Sequence, residues 1–177
     1  MPEGFLYREE VLSAAEERHF AERFALLPFA PFEFHGFQGR RRVVSFGWRY
    51  DYAGRQIRLS VELPEFLLPL RKRAAKIAGL AAESLQQVLV TEYAPGAPIG
   101  WHRDKPQFRD VVTISFLAPC VLRFRRRLHD RWERRSLDVM PRSAYVLRGA
   151  ARGEWEHSIP PLSALRYSVT LRNLREP

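Results

Sequence analysis

In the stretch Gly100-Trp101-His102-Arg103-Asp104 a histidine precedes an aspartate by two positions, directly after the glycine- and proline-broken run Tyr93-Ala94-Pro95-Gly96-Ala97-Pro98. If the stretch is extended, side chains alternate, so His102 and Asp104 point to one side and Arg103 to the other. An imidazole nitrogen and a carboxylate oxygen then converge, either as a polar pair at a strand end or as two ligands of a metal. A third ligand must come from elsewhere. His19 falls in a helical pattern, His35 among N-terminal aromatics and His129 in the turn Leu128-His129-Asp130, whereas His157 stands at the entrance to the last strand. Two histidines and one carboxylate on a face of an octahedron leave three positions open, the arrangement of non-haem Fe(II) oxygenases.

A second pattern bears on what would fill those positions. Arg166-Tyr167-Ser168-Val169-Thr170-Leu171-Arg172 alternates strictly, with Arg166, Ser168, Thr170 and Arg172 on one face and Tyr167, Val169 and Leu171 on the other. The apolar face packs outward from the site or into a second sheet. If the polar face lines the interior, two buried guanidiniums require anionic partners, because unpaired buried charge is costly. A dicarboxylate co-substrate would satisfy them through bidentate geometry. The alternative is a solvent-facing edge strand.

These residues need elements to hold them. Ser13 can cap a helix through about Leu27, with Phe20, Phe24 and Leu27 on one face. Residues 42–52 read as a strand, and 64–77 as a second helix, possible from Pro69 onward and closed by Gly79. Short β-rich runs follow at 85–93, 100–102, 111–117, 121–127, 132–139, 144–147 and 165–171, separated by Pro, Gly, Asp and Ser. Many short strands at this spacing predict a sandwich or barrel. The expected fold is α+β, mainly β: a jelly roll over 85–172, braced by an N-terminal support over 1–80, in one domain spanning 1–177.

The chain has 177 residues, 46% hydrophobic and 28% charged, an ordinary globular composition. No apolar run reaches the roughly 18 residues of a membrane span, and the N-terminus lacks a signal-peptide layout. Cys120 is the one cysteine, read as a small buried residue, and a reducing cytoplasm is the expected setting. The net charge of +9 is clustered, in Arg40-Arg41-Arg42 and in Arg123, Arg125, Arg126, Arg127, Arg131, Arg134 and Arg135. Such patches suit polyanions, above all nucleic acid, through counterion release; the plainer reading is an arginine-rich soluble surface.

With these motifs in place the chain resembles the AlkB-like Fe(II)/2-oxoglutarate dioxygenases, from about Arg42 to Arg172. The resemblance rests on Thr91-Glu92-Tyr93-Ala94-Pro95-Gly96 followed by His102-Arg103-Asp104, on Trp155-Glu156-His157-Ser158-Ile159 and on the closing strand Arg166–Arg172. Upstream, Arg42–Tyr52 is similar to the family's nucleotide-recognition segment, part of a lid over the metal. The resemblance implies a double-stranded β-helix in which His102, Asp104 and His157 hold Fe(II). It implies that Tyr93 and Arg166 hold the distal carboxylate of 2-oxoglutarate and Arg172 the end near the metal. Thr91 and Ser168 stand where asparagine is common, Ser158 replaces a frequent glycine, and Lys105-Pro106-Gln107 lacks an acidic residue that some members place near the substrate base. The implied reaction consumes 2-oxoglutarate and O2, yields succinate and carbon dioxide, and hydroxylates a C–H bond; on an N-methyl group the product leaves as formaldehyde.

Phe46, Trp48, Tyr50 and Tyr52 occupy every second position, a row that is either core or a stacking surface. An enzyme acting on a base takes it out of its stack and sandwiches it between aromatics, which makes Trp48, Tyr50 and Tyr52 the stacking candidates. Arg40, Arg41, Arg42 and Arg103 would then hold the flanking phosphates. The expected activity is demethylation of alkylated DNA or RNA bases by a monomer without an appended RNA-binding or methyltransferase domain. Alternatives are the same chemistry on a tRNA modification or a protein, and a non-catalytic β-barrel that binds single strands.

Overall fold

The computed structural model describes residues 1–34, 37–51, 56–59 and 61–175, as backbone alone at 33–34, 37–39, 49–51 and 56–59. It begins with a short strand, β1 (Phe5–Arg8), which the sequence pattern did not announce, and continues into α1 (Ala14–Phe24). Ser13 caps α1 as expected. Its hydroxyl accepts from the Glu16 amide while the Glu16 carboxylate accepts from the Ser13 amide, closing a capping box. The helix ends at Phe24 rather than near Leu27.

Next come β2 (Ala30–Phe34), β3 (Phe37–Asp51) and β4 (Gln56–Leu59), with β3 pairing to both neighbours. A 3-10 turn at Glu65–Leu67 leads into α2 (Leu68–Ala78). Pro69 occupies the first turn, where its missing N–H is not needed. Gly79, at φ 67°, takes the left-handed cap position that an L side chain disfavours.

The remaining strands are β5 (Leu85–Tyr93), β6 (Ile99–His102), β7 (Phe108–Phe116), β8 (Cys120–Leu128), β9 (Arg131–Val139) and β10 (Ala144–Leu147). The chain closes with a short helix α3 (Gly149–Gly153), β11 (Glu156–Ile159) and β12 (Arg166–Leu174).

Two antiparallel sheets face each other. The larger runs β1-β10-β7-β12-β5-β3-β2, with β4 attached to β3; the smaller runs β6-β11-β8-β9. From β5 onward the chain passes back and forth between them, which is the double-stranded β-helix expected from the sequence.

Each face of the larger sheet has its own core. On one side Phe20 and Phe24 of α1 and Leu70 and Ala74 of α2 bury Val88, Val90, Val112, Ile114, Phe116, Tyr167, Val169 and Leu171. Complete burial of a Val, Leu or Phe is worth about 1.5–3 kcal/mol, so this seam fixes the helices as a backing plate. Between the sheets lies a second core, including Leu122, Phe124, Val139, Leu147, Trp155 and Ile159. The sequence left two destinations for the apolar face of β12, and it packs under the helices. The polar face points between the sheets, and β12 is central, flanked by β5 and β7. The edge-strand alternative is thereby excluded.

Candidate active site

β6 and β11 are antiparallel neighbours with His102 directly opposite His157. Their ring centroids stand 4.2 Å apart, and His157 Nε2 is 3.6 Å from Asp104 Oδ2. One ligand atom from each of His102, Asp104 and His157 lies within 4.8 Å of the others, a spacing that a single metal ion can bridge. The pairing register supplies the third ligand, a second histidine, that HxD alone could not.

The supporting contacts select atoms. His102 Nδ1 is 2.9 Å from the Gly100 carbonyl. A carbonyl only accepts, so Nδ1 carries the proton and Nε2 keeps its lone pair. Arg172 donates to Asp104 Oδ1 from Nε at 2.8 Å and from Nη2 at 2.7 Å, which leaves Oδ2 toward His157. Arg172 Nη1 donates to Gln87 Oε1 at 2.7 Å.

Burial lowers the pKa of both histidines, His157 to about 3, where the neighbouring His102 adds to the effect. Burial alone would raise Asp104, but the Arg172 guanidinium foremost, and then His157 and His102, hold it well below the usual carboxylate range. At neutral pH all three are therefore in the protonation state a metal requires.

Deeper between the sheets, Arg166 is wholly buried. Nη2 donates to Ser115 Oγ at 2.6 Å, and the guanidinium lies 5.0 Å from the centre of the Tyr93 ring. Its Nε and Nη1 have no partner among the described residues. A buried cation with two idle donors fits a carboxylate ligand, since leaving it unpaired would cost several kcal/mol. Thr91 and Ser168 are buried and paired across β5 and β12. Thr170 is hydrogen-bonded to Thr113 at 3.1 Å. The sequence-predicted pocket residues thus share one interior.

Residues the sequence reading missed include Gln87, Ser115 and Arg152. Gln87 and Ser115 lie in alternating strands, and that alternation was their one available signal. Arg152 of α3 is buried without a carboxylate partner among the described residues and donates to the Lys105 and Phe108 carbonyls, tying down the loop that follows Asp104.

Around the mouth the expectations need revision. Phe46 is 4% exposed and belongs to the core under the helices, whereas Trp48 is 37% exposed. The cause is Gly47, at φ 73°. There β3 makes its last pair with β5, at Gln87, and its next with β4, at Leu59. A Cβ on Gly47 would meet the Gln86 carbonyl oxygen at 2.1 Å, so only glycine fits. Phe46 and Trp48 therefore part, one in the core and the other at the surface. Tyr50 is described by backbone alone, and Tyr52 and His35 lie outside the described residues.

Arg42, expected at phosphate, is paired to Glu92 at 2.7 Å and lies over the Phe29 ring. Arg41 lies over Phe32, and its charge helps lower His102. Arg103 is exposed, faces away from the ligands and donates to the Gly153 carbonyl at 3.3 Å. Cys120 is buried as expected, and burial raises its thiol pKa. In the second basic cluster Arg125, Arg126 and Arg135 are committed to Glu156, Glu133 and Glu154.

A model of the 2OG-Fe(II) oxygenase superfamily matches residues 8–172. The alkylated DNA repair protein ALKBH8 homolog of Arabidopsis thaliana is 30% identical over 173 residues, covering 77% of this chain and 50% of its own length. The uncharacterized protein L905 of Acanthamoeba polyphaga mimivirus is 27% identical over 101 residues, 50% of this chain and 48% of its own. The chain thus spans about half the length of the curated relatives it matches. Among solved structures, OsALKBH1 superposes with a TM-score of 0.72 at 15% identity, over 98% of this chain and 97% of that one. A Pseudomonas putida prolyl-4-hydroxylase gives 0.63 at 17% identity, over 98% and 94%. At these identities the structural likeness shows the fold.

Proposed function

The chain belongs to the 2OG-Fe(II) oxygenase superfamily, and from that premise we propose that this AlkB-like dioxygenase removes N-methyl groups from alkylated bases of DNA or RNA. Fe(II), 2-oxoglutarate and O2 together supply, when bound, hydroxylation of an unactivated C–H bond coupled to decarboxylation of the co-substrate. The chain itself supplies ligation, orientation and exclusion of water. His102 would hold the metal through Nε2, Asp104 through Oδ2, and His157 from the opposite strand. Arg166, with Tyr93 beside it and Thr91 and Ser168 on the same lining, would receive the far carboxylate of 2-oxoglutarate. Arg172 fixes Asp104 and stands where the near end of the co-substrate would sit. A hydroxymethyl group on nitrogen then separates as formaldehyde without a protein acid or base.

The observation that carries the substrate class is the cationic mouth. Arg103 stands exposed between two of the ligands, and Arg41 lies near enough to His102 to depress its protonation. The ALKBH8 homolog's description as an alkylated DNA repair protein supports the same reading. Trp48, with Tyr50 and Tyr52, would stack the extruded base, and Arg103, with the exposed edge of Arg42, would contact flanking phosphates. The protein acts as a cytoplasmic monomer, one domain over 1–177, in this reading.

The test incubates Fe(II)-loaded protein and 2-oxoglutarate with methylated and unmethylated oligonucleotides and measures succinate and formaldehyde. Formaldehyde from the methylated strand alone is expected. Turnover on a modified tRNA or a protein substrate, with none on methylated bases, would transfer the chemistry to that substrate.

A further inference from the structure

The smaller sheet turns its outer face to solvent, and that face carries a ladder of arginines and tryptophans. Arg123, Arg125 and Arg127 alternate along β8 with the buried Leu122 and Phe124. Arg123 and Arg125 lie 5.1 and 4.5 Å from the Trp101 ring of β6, and Arg125 and Arg127 lie 4.4 and 5.8 Å from the Trp132 ring of β9. The resulting order is Arg123, Trp101, Arg125, Trp132, Arg127.

Stacking engages the flat faces of the guanidiniums and leaves their edges, which carry the N–H donors, for other partners. Arg125 spends an edge on Glu156 at 2.6 Å and serves as the central rung. Arg123 donates from Nε to Ser158 Oγ and Arg127 from Nε to the His129 carbonyl, so both use neutral acceptors and keep their paired Nη groups. Arg134, opposite Arg125 on β9, is exposed. No carboxylate pairs with Arg123, Arg127 or Arg134 among the described residues; Glu154, held by Arg126, lines the cleft beside Arg127, and Asp138 lies toward the far end of the face. Arg123 and Arg127 are four residues apart on one strand, about 13 Å, enough to reach two separate phosphates of one chain.

The face also reaches the segment that carries two of the ligands. Arg103, between His102 and Asp104 in sequence, lines one cleft of about 180 Å³ with Arg125, Arg126, Arg127, Trp132, Glu154 and Glu156.

We propose that this outer face is a track for the phosphodiester backbone of the strand whose base enters the metal site, with Arg123, Arg127 and Arg134 as its phosphate contacts. The proposal rests on the reading of nucleic acid as substrate. The stacked guanidiniums of Arg123 and Arg127 lose little rotamer freedom on binding, and phosphate is the anion the guanidinium fork matches. The track contacts phosphates and recognises no base.

The test is fluorescence anisotropy with unmethylated oligothymidylate across a salt series, comparing the wild type with the combined Arg123→Gln, Arg127→Gln and Arg134→Gln protein. Each lost contact flattens the slope of log affinity against log salt by about 0.7, so the triple variant is expected to lose about two units and to bind roughly tenfold more weakly at low salt. An unchanged slope in a variant that melts like the wild type overturns the track. If the variant does not fold, wild-type protein decides through strands of about three and about twelve nucleotides, since a track requires a steeper slope for the longer one. Equal slopes overturn it. Phosphatidylglycerol vesicles are the third arm: vesicle capture lost in the variant with strand binding intact would assign the face to an anionic lipid surface and overturn the proposal. Strand binding through this face by a wild type that demethylates no base would uphold the track and reject the demethylase reading. Normal demethylation with a variant slope unchanged would reject the track alone.

Discussion

Arg172 directs two donors, Nε and Nη2, at a single oxygen of Asp104, at 2.8 and 2.7 Å, across 68 residues of sequence. A carboxylate so held has one oxygen left to offer and one orientation in which to offer it. The arginine thereby sets the third ligand of a site whose other two are set by strand register.

Replacing Arg172 with methionine should therefore weaken metal binding although the residue is not itself a ligand. Loss of a partner that orients a ligand typically costs about 10–100-fold in affinity. Lysine should restore part of it, because it supplies the charge without the fork. Mn(II) titration measures this directly; wild-type affinity in Arg172→Met would show that Asp104 needs no orienting partner.

Arg166 answers to a different ligand. Arg166→Ala removes a charge-assisted hydrogen-bond donor set, worth about 1.5–3 kcal/mol, so 2-oxoglutarate affinity should fall roughly tenfold to a hundredfold. Metal affinity should stay near wild type, since the residue contacts Ser115 and Tyr93 rather than the triad. Calorimetric titration of the Mn(II)-loaded variant with 2-oxoglutarate separates the two effects. Unchanged affinity would place the co-substrate elsewhere.

How much of this was legible in the sequence depended on range. Strict alternation in 166–172 gave away the interior face of β12, and the Pro- and Gly-broken run before Gly100 gave away a strand beginning beside His102. Ser13, Pro69 and Gly79 marked helix ends through local backbone chemistry, whereas the reciprocal contact of Glu16 with Ser13 was not read. What stayed hidden was tertiary. The short edge strand β1 has no alternating pattern of its own and exists because β10 accepts it. The Asp104–Arg172 and Gln87–Arg172 contacts join distant segments that only sheet order brings together. Alternation alone did not separate Phe46 from Trp48, because it assumes one continuous partner, and Gly47 changes the partner from β5 to β4.

The metal-free protein should lose stability on mild acidification. Above the usual imidazole pKa of 6.5 neither the folded nor the unfolded chain binds a proton at His102 or His157. Below it the unfolded chain takes up protons that the buried histidines refuse, because their folded pKa values are lowered, His157 to about 3. Stability therefore falls as pH drops from 6.5 toward 3. Melting curves at successive pH values read the slope, and His157→Gln should flatten it. A melting temperature constant between pH 7 and 5 would mean that the histidines titrate as exposed groups.

The stacking role proposed for Trp48 is tested against Phe46, its neighbour on the other side of Gly47 with the opposite fate. Phe46→Ala should destabilise the fold by about 3–5 kcal/mol, the usual cost of emptying an aromatic core position, and should impair every activity in proportion to the folded fraction. Trp48→Ala should leave the melting temperature within a few degrees of wild type, because the side chain is 37% exposed. Its loss should appear as preference for a methylated over an unmethylated strand, since stacking contributes about 1–3 kcal/mol per base. The salt dependence of strand binding should be unaffected, because that term belongs to phosphate contacts. Competition binding with paired oligonucleotides, alongside melting curves, distinguishes the two positions. If Trp48→Ala unfolds the protein, Trp48 is a packing residue like Phe46; if it folds and still selects the methylated strand as wild type does, other residues hold the base.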